Sequence, residues 1–160
     1  ERAKEDISFL HQINKSNPHL YHWQVTVAYY AALHLIHAHL SMKNHHPESH
    51  DDIKSLIEPK YGAKGIKVSD DLYFKYTRLE NNSRIARYMQ LPGDSPEKKH
   101  TLSSKGLTNA IRYLDSVMTF VKNKYDVDFG KNEFYSDHTQ DIAALVFFAI
   151  VPAPKKQTSK

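Results

Sequence analysis

The chain has 160 residues, the length of about one domain, and its 22 lysines and arginines exceed its 18 aspartates and glutamates by a net charge of +4. This mild excess excludes a dedicated DNA-coating protein, and a content of 40% hydrophobic and 25% charged residues excludes wholesale disorder. The absence of cysteine excludes disulfide scaffolds, zinc–thiolate sites, iron–sulfur clusters and cysteine nucleophiles.

Two helices are predicted in the first quarter of the chain. Arg2–Asn14 forms the first, which ends before Asn17–Pro18 because a residue that precedes proline avoids the helical region. The second, Leu20–Met42, is apolar nearly all round, which is typical of a helix in the middle of a bundle. One of its sides carries Trp23, Val27, Tyr30, His34 and His37.

Three further helices follow. The third is predicted over Pro47–Ile57, because proline suits the first position of a helix. The fourth runs from an N-cap at Ser69 to about Gln90. The fifth, Leu102–Tyr125, has the most regular apolar stripe: Leu107, Ala110, Ile111, Leu114, Val117, Met118 and Val121.

The last part of the chain has a weaker pattern. Asp126–His138 shows no clear period, and Thr139–Val151 is predicted as a short helix or a strand, with helix favoured by its two alanines. We expect one domain over residues 1–151 and a disordered tail over 152–160. The fold class is therefore all-α: an up-and-down bundle of about five helices with a short C-terminal apolar segment.

No membrane segment or secretory signal is evident. The apolar run Ile142–Val151 is half the ~20 residues that a spanning helix needs. Glu1–Asp6 is charged and lacks the apolar core of a signal peptide. We therefore expect a cytoplasmic protein.

Eleven histidines are the oddity of the composition. His34 and His37 lie three apart on one side of a helix, so they either share a metal or, as we favour, line a cleft and bond to tyrosines or carboxylates. Adjacent histidines in a polar loop are typically solvated, which is our interpretation of His45, His46 and His50. A di-iron site needs two Glu-x-x-His pairs, and only Glu97–His100 has that spacing. We expect no metal and no cofactor.

The fourth helix carries a polar stripe of Thr77, Glu80, Arg84, Arg87 and Tyr88. Two guanidinium groups one turn apart beside a phenol form a credible phosphate site, because arginine donates paired hydrogen bonds to phosphate oxygens. The alternative is a Glu80–Arg84 pair on a solvated face. The residues leave both open. Phosphate-binding glycine loops and nucleophile-elbow motifs are absent from the sequence.

Three stretches resemble the HEPN family (higher eukaryotes and prokaryotes nucleotide-binding domains). Val25–Leu40 resembles its central helix, with paired aromatics followed by alanines and leucines. Ser49–Ile57 resembles the segment that follows, with His50 at a common histidine. Leu79–Tyr88 resembles a stretch containing arginine, alanine and tyrosine, with Arg87 where aspartate is usual. The resemblance covers roughly residues 20–125.

This resemblance implies a helical bundle that commonly dimerises. Some relatives are metal-independent ribonucleases of toxin–antitoxin or phage-defence systems, often encoded beside a nucleotidyltransferase, and others bind RNA or nucleotides without catalysis. The ribonucleases use an Arg-x4-6-His motif, in which arginine holds the phosphate and histidine moves a proton. Here neither Arg84 nor Arg87 is followed by histidine at that spacing.

We therefore expect a HEPN-like protein that binds a nucleotide or RNA phosphate without strong catalysis, through Arg84, Arg87, Tyr88 and His50. One alternative is a ribonuclease toxin with a rearranged site of His34, His37 and Arg84. The other is a non-catalytic structural or dimerisation module whose segment Ile142–Val151 covers a partner or a second copy of the chain. The expected partners are RNA or a nucleotide, a second copy of the chain and a nucleotidyltransferase-type antitoxin.

Overall fold

A computed structural model describes residues 1–136 and 146–152. Its helices are α1 (Arg2–Ser16), α2 (Tyr21–Ser41), α3 (His50–Ile57), α4 (Asp70–Tyr88) and α5 (Ser104–Tyr125). Two short strands follow, β1 (Asn132–Ser136) and β2 (Phe148–Pro152). The helical-bundle class is confirmed, since all five predicted helices are present. No helix in the described residues is both long and apolar enough to span a membrane.

Helix α2 lies at the centre of the bundle and packs against α1, α4 and α5. Its nearly all-round apolar surface allows this, because a central helix must bury more than one side. Val25, Ala28 and Ile36 are fully buried. The stripe predicted on α5 is buried along its whole length, so the local pattern was sufficient to define that face.

Serine caps set the starts of three helices. Ser69 caps α4 by accepting a hydrogen bond from Leu72 N at 3.3 Å, as predicted. Helix α3 begins at His50 and not at Pro47, because Ser49 and Asp52 exchange reciprocal hydrogen bonds of 3.1 Å that form a capping box. Helix α5 begins at Ser104, two residues after the predicted start, behind an N-cap at Ser103.

The two strands correct the prediction for the end of the chain. They form a parallel pair in which Asn132 lies opposite Phe148 and Ser136 opposite Pro152. The preference for helix over Thr139–Val151 was wrong for residues 148–151, and Pro152, expected in a disordered tail, belongs to β2. Residues 137–145 and 153–160 lie outside the described part of the chain.

Side chains of the helices hold this strand pair in place. Asn14 of α1 donates to Tyr135 O at 3.1 Å and accepts from Tyr135 N at 2.6 Å. Asp115 of α5 accepts from the backbone N–H groups of Val146 and Phe147 at 3.2 and 2.8 Å. Phe147 and Phe148 are buried in the core of their own chain. These contacts are long-range in sequence, which explains why the local pattern favoured a helix over a strand in Thr139–Val151 and gave no sign of β1.

Candidate functional site

Arg87 lies over two tyrosine rings on the surface where α2 meets α4. Its guanidinium carbon is 5.8 Å from the ring centre of Tyr30 and 5.0 Å from that of Tyr88. The guanidinium donates to Ser83 O at 3.3 Å and makes long contacts of 3.5 Å to both phenol oxygens. No carboxylate pairs with Arg87 in the described residues. We call Tyr30, Arg87 and Tyr88 the tyrosine–arginine platform.

A buried carboxylate on the same helix joins two further cations. Glu80 has a side chain that is 4% exposed, and it lies 3.3 Å from Arg84 and 3.4 Å from Lys54 of α3. Lys54 also pairs with Asp51 at 2.8 Å. We call Lys54, Glu80 and Arg84 the Glu80 cluster. The predicted i,i+4 pair of Glu80 with Arg84 is present, but Glu80 is buried, so the solvated face is wrong at that position.

His50, the first residue of α3, is hydrogen-bonded to a buried phenol. Tyr29 Oη lies 2.8 Å from His50 Nδ1, and Tyr29 is 1% exposed, whereas His50 is exposed. Burial, followed by the nearby Glu80 carboxylate, raises the pKa of Tyr29 above its ordinary value. Tyr29 therefore stays protonated at neutral pH and always has a hydroxyl proton to donate.

Two histidines of α2, His34 and His37, lie near this surface. His37 is half-buried, and burial, followed by the nearby imidazoles of His34 and His50, lowers its pKa. His34 Nδ1 lies 2.6 Å from Asp6 Oδ2, and its ring is 6.4 Å from that of Tyr30. Tyr30 thus contacts both His34 and Arg87.

His34 also lines a cavity of about 330 Å³ between α1, α2 and α5. No hydrogen bond or ion pair joins Arg84 to a histidine within residues 1–136 and 146–152. The same ranges contain no group of three or more histidine, aspartate or glutamate side chains that could hold a metal ion.

Comparison with known proteins identifies the family. The family model for the HEPN domain matches residues 1–124, more than three quarters of the chain. The protein belongs to the HEPN family. No curated protein and no solved structure gave a match. Membership connects this HEPN protein with nucleotide- or RNA-related function and with a family that often dimerises.

The three stretches that carry the resemblance meet at one surface of this HEPN domain. Val25–Leu40 lies in α2 and supplies Tyr29 and Tyr30, Ser49–Ile57 supplies His50 and Lys54, and Leu79–Tyr88 lies in α4. Segments that are separate in sequence therefore build a single candidate site.

Sequence reasoning identified only part of this site. Arg84, Arg87 and Tyr88 were found from helical spacing, and His50 from the resemblance. The contributions of Tyr29, Tyr30 and Lys54 were missed. The Glu80–Arg84 pair followed from spacing, but nothing in the sequence indicated that Lys54, which comes from another helix, pairs with the same glutamate. The adjacent tyrosines of α2 were a weak signal, since hydroxyls on a central, mostly buried helix need partners.

Proposed function

We propose that this HEPN protein binds the phosphate groups of RNA or of a nucleotide at the tyrosine–arginine platform, without strong catalysis of its own. The observation that carries the proposal is Arg87, an exposed cation with no carboxylate partner in the described residues. Guanidinium groups donate two parallel hydrogen bonds to phosphate oxygens, so an unpaired one beside aromatic rings suits a nucleotide.

The tyrosines support an RNA or nucleotide ligand over a simple anion. Tyr88 is 59% exposed, which leaves its ring accessible for a base to stack on. Stacking of one base on an aromatic ring contributes about 1–3 kcal/mol and tolerates any base. The platform thus combines a phosphate donor with a stacking surface on one helix turn.

Arg84 has a secondary role in this proposal. Its side chain is 36% exposed, and one of its terminal nitrogens is committed to Glu80. Glu80 and Asp51 also balance Lys54, so the Glu80 cluster attracts an anion less than Arg87 does. Arg84 is therefore expected to add to affinity, but less than Arg87.

Weak catalysis follows from the side chains available. The ribonuclease motif of the resemblance needs a histidine shortly after the arginine, and the sequence has none after Arg84 or Arg87. Near the platform, His50 Nδ1 is engaged by Tyr29. His34 Nδ1 donates to Asp6, which leaves its Nε2 as an acceptor, but no hydrogen bond or ion pair joins His34 or His37 to Arg84 or Arg87 in the described residues. The proposal of weak catalysis therefore rests on the missing motif histidine and on the absence of such a contact.

Fluorescence anisotropy with a labelled single-stranded RNA of 20 nucleotides tests the proposal. Arg87→Ala is expected to weaken binding about tenfold and to reduce the salt slope by about 0.7, the loss of one phosphate contact. Arg84→Ala is expected to weaken binding less. Arg78→Ala is the matched control, because Arg78 is an exposed guanidinium 5.1 Å from the Phe74 ring on the same helix.

Equal effects of Arg87→Ala and Arg78→Ala would contradict the platform as the site. Incubation of the wild-type protein with the same RNA, followed by gel analysis, tests the catalytic part. Cleavage products that Arg84→Ala or His34→Ala abolishes would support the ribonuclease alternative.

A further inference from the structure

A buried hydroxyl without a partner lies behind His50. The ring of Tyr76 is 6.2 Å from that of Tyr29, whose hydroxyl reaches His50 Nδ1 at 2.8 Å. Tyr76 is 1% exposed, and its hydroxyl makes no hydrogen bond of good geometry, although it lies near enough to the Tyr29 hydroxyl to influence the pKa of that phenol. Leaving such a group unpaired destabilises a protein, so its position beside a titratable pair invites an explanation.

The hydroxyl proton of Tyr29 has two possible destinations. When His50 is neutral with a lone pair on Nδ1, Tyr29 donates to it, and the ring proton is then on Nε2. When His50 is charged, Nδ1–H donates to the Tyr29 oxygen, and the Tyr29 proton needs another acceptor. The unpartnered oxygen of Tyr76 is next to Tyr29 and can take that role.

We infer that Tyr29 and Tyr76 are positioning residues that hold His50 with a proton on its exposed Nε2 in both protonation states. His50 then donates a hydrogen bond to an acceptor oxygen of the ligand, such as a phosphate oxygen, and does not act as a base through Nε2. The inference rests on the proposed function for the identity of the ligand. It also gives a reason for weak catalysis, because a protonated nitrogen cannot remove the proton of a 2′-hydroxyl.

The charges around His50 are nearly balanced. Asp51 and Lys54 of α3 pair with each other, and Glu80 pairs with Arg84 of α4. The titratable groups that interact directly with His50 are Tyr29 and His37 of α2 and Asp51 of α3. Behind them lie Lys54 of α3 and Tyr76, Glu80 and Arg84 of α4, each of which interacts with Asp51 or Tyr29. Since the ion pairs offset one another, the tyrosine contacts are left to determine which nitrogen carries the proton.

Nitrogen NMR of the free protein tests the tautomer without any RNA. In ¹⁵N-histidine protein at pH 8, we expect His50 Nε2 to be protonated and Nδ1 to show the shift of a hydrogen-bond acceptor. A proton on Nδ1 at this pH would overturn the inference, because Nε2 would then be an acceptor that repels phosphate oxygens.

Tyr76→Phe tests the second acceptor. Removing that oxygen disfavours only the charged form of His50, so the midpoint of its NMR titration is expected to move about 0.4–0.7 pH units lower. The fold is expected to be unaffected, because the deleted hydroxyl has no partner. An unchanged midpoint in Tyr76→Phe, compared with the wild type, would overturn the role of Tyr76.

RNA binding tests the donor. His50→Gln keeps an N–H donor at similar reach and is expected to retain affinity for the 20-nucleotide RNA within about twofold at pH 7.5. His50→Ala is expected to lose about 3–10-fold, the value of one hydrogen bond. His46→Ala, in the exposed loop before α3, is the control and should bind as the wild type does.

The two proposals fail in different ways. Equal losses in His50→Gln and His50→Ala would overturn the donor role while RNA binding itself is retained. If the wild type does not bind the RNA at all, the proposed function fails, and the NMR results still decide whether the tyrosines position His50.

Discussion

Of the three tyrosine–histidine hydrogen bonds in the described residues, two have one buried partner, and the identity of that partner distinguishes them. The phenol oxygen lies 2.8 Å from Nδ1 in the Tyr29–His50 pair and 2.6 Å from Nδ1 in the Tyr125–His39 pair. In the first pair the tyrosine is buried and the histidine is exposed, whereas in the second the histidine is 0% exposed. The same hydrogen bond therefore presents opposite partners to solvent.

The two histidines also differ in the hydrogen bonding of their second ring nitrogen, Nε2. His39 Nε2 lies 2.9 Å from Ile66 O, and a carbonyl only accepts, so Nε2 carries the proton and Nδ1 accepts from Tyr125. Both nitrogens of His39 are used inside the protein, which makes it a structural residue. His50 has only Nδ1 engaged by Tyr29, which leaves Nε2 for a ligand. The number of histidines in the sequence does not distinguish a structural histidine such as His39 from one such as His50 that has only Nδ1 engaged.

Replacing each histidine by alanine should separate the pairs most strongly. His39→Ala removes a buried side chain with two hydrogen bonds and should lower the free energy of unfolding by about 2–4 kcal/mol. His50→Ala removes an exposed ring and should cost less than about 1 kcal/mol. Urea denaturation followed by circular dichroism measures both, with His46→Ala as a loop control. Equal losses for His39→Ala and His50→Ala would refute the distinction.

Acidification should destabilise the protein through the buried pair. Burial lowers the pKa of His39 in the folded protein. As the pH falls below about 6.5, His39 is therefore protonated more readily in the unfolded chain than in the folded one. Stability should thus be full above this pH and fall as the pH drops below it, by at most about 1.4 kcal/mol per pH unit for one group. His37, whose pKa is also lowered by burial, adds to the same trend.

Urea midpoints measured from pH 7.5 to 5 check this dependence. His39→Gln removes the titrating group and should flatten the slope, whereas His46→Gln should leave it unchanged. A slope that is equally steep in His39→Gln would assign the effect to other groups.

Local patterns predicted the helices well because helix formation depends on near neighbours. The apolar stripe of α5 and the Ser69 cap of α4 are contained within a few turns of sequence. The strand pair was missed because its support is distant, as in the contact of Asp115 with the backbone of Phe147, 32 residues away. Periodicity within a segment cannot register a partner that folding brings from elsewhere.

The candidate site likewise contains residues that local spacing predicted and residues that only the fold brings together. Arg84 and Arg87 were predicted together because both lie on α4 one turn apart. Tyr30, which contacts Arg87 from 57 residues away, could not be predicted, since it comes from another helix. Burial of Glu80 likewise depends on packing and not on its position in a polar stripe.

Replacing the tyrosine of each pair by phenylalanine should also lower stability more in the Tyr125–His39 pair than in the Tyr29–His50 pair. The difference is expected to be smaller than for the histidine replacements. Tyr125→Phe leaves Nδ1 of buried His39 without a donor and should cost about 1–3 kcal/mol. Tyr29→Phe leaves Nδ1 of exposed His50, which water can reach, and should cost less than about 1 kcal/mol. The thermal midpoints of the two variants measure this difference. A larger loss in Tyr29→Phe would show that the Tyr29–His50 bond is chiefly structural.

Tyr76→Phe should have the smallest effect on stability and the most informative one. Its hydroxyl is buried without a partner, so deleting it relieves an unpaired polar group and should leave the free energy of unfolding within about 0.5 kcal/mol of the wild type, or raise it. Urea denaturation at pH 7.5 measures the change. A loss above about 1 kcal/mol would mean that the hydroxyl is hydrogen-bonded to Tyr29 at neutral pH. Charging of His50 would then have to reverse that hydrogen bond, so Tyr76 would not be a vacant acceptor for the Tyr29 proton.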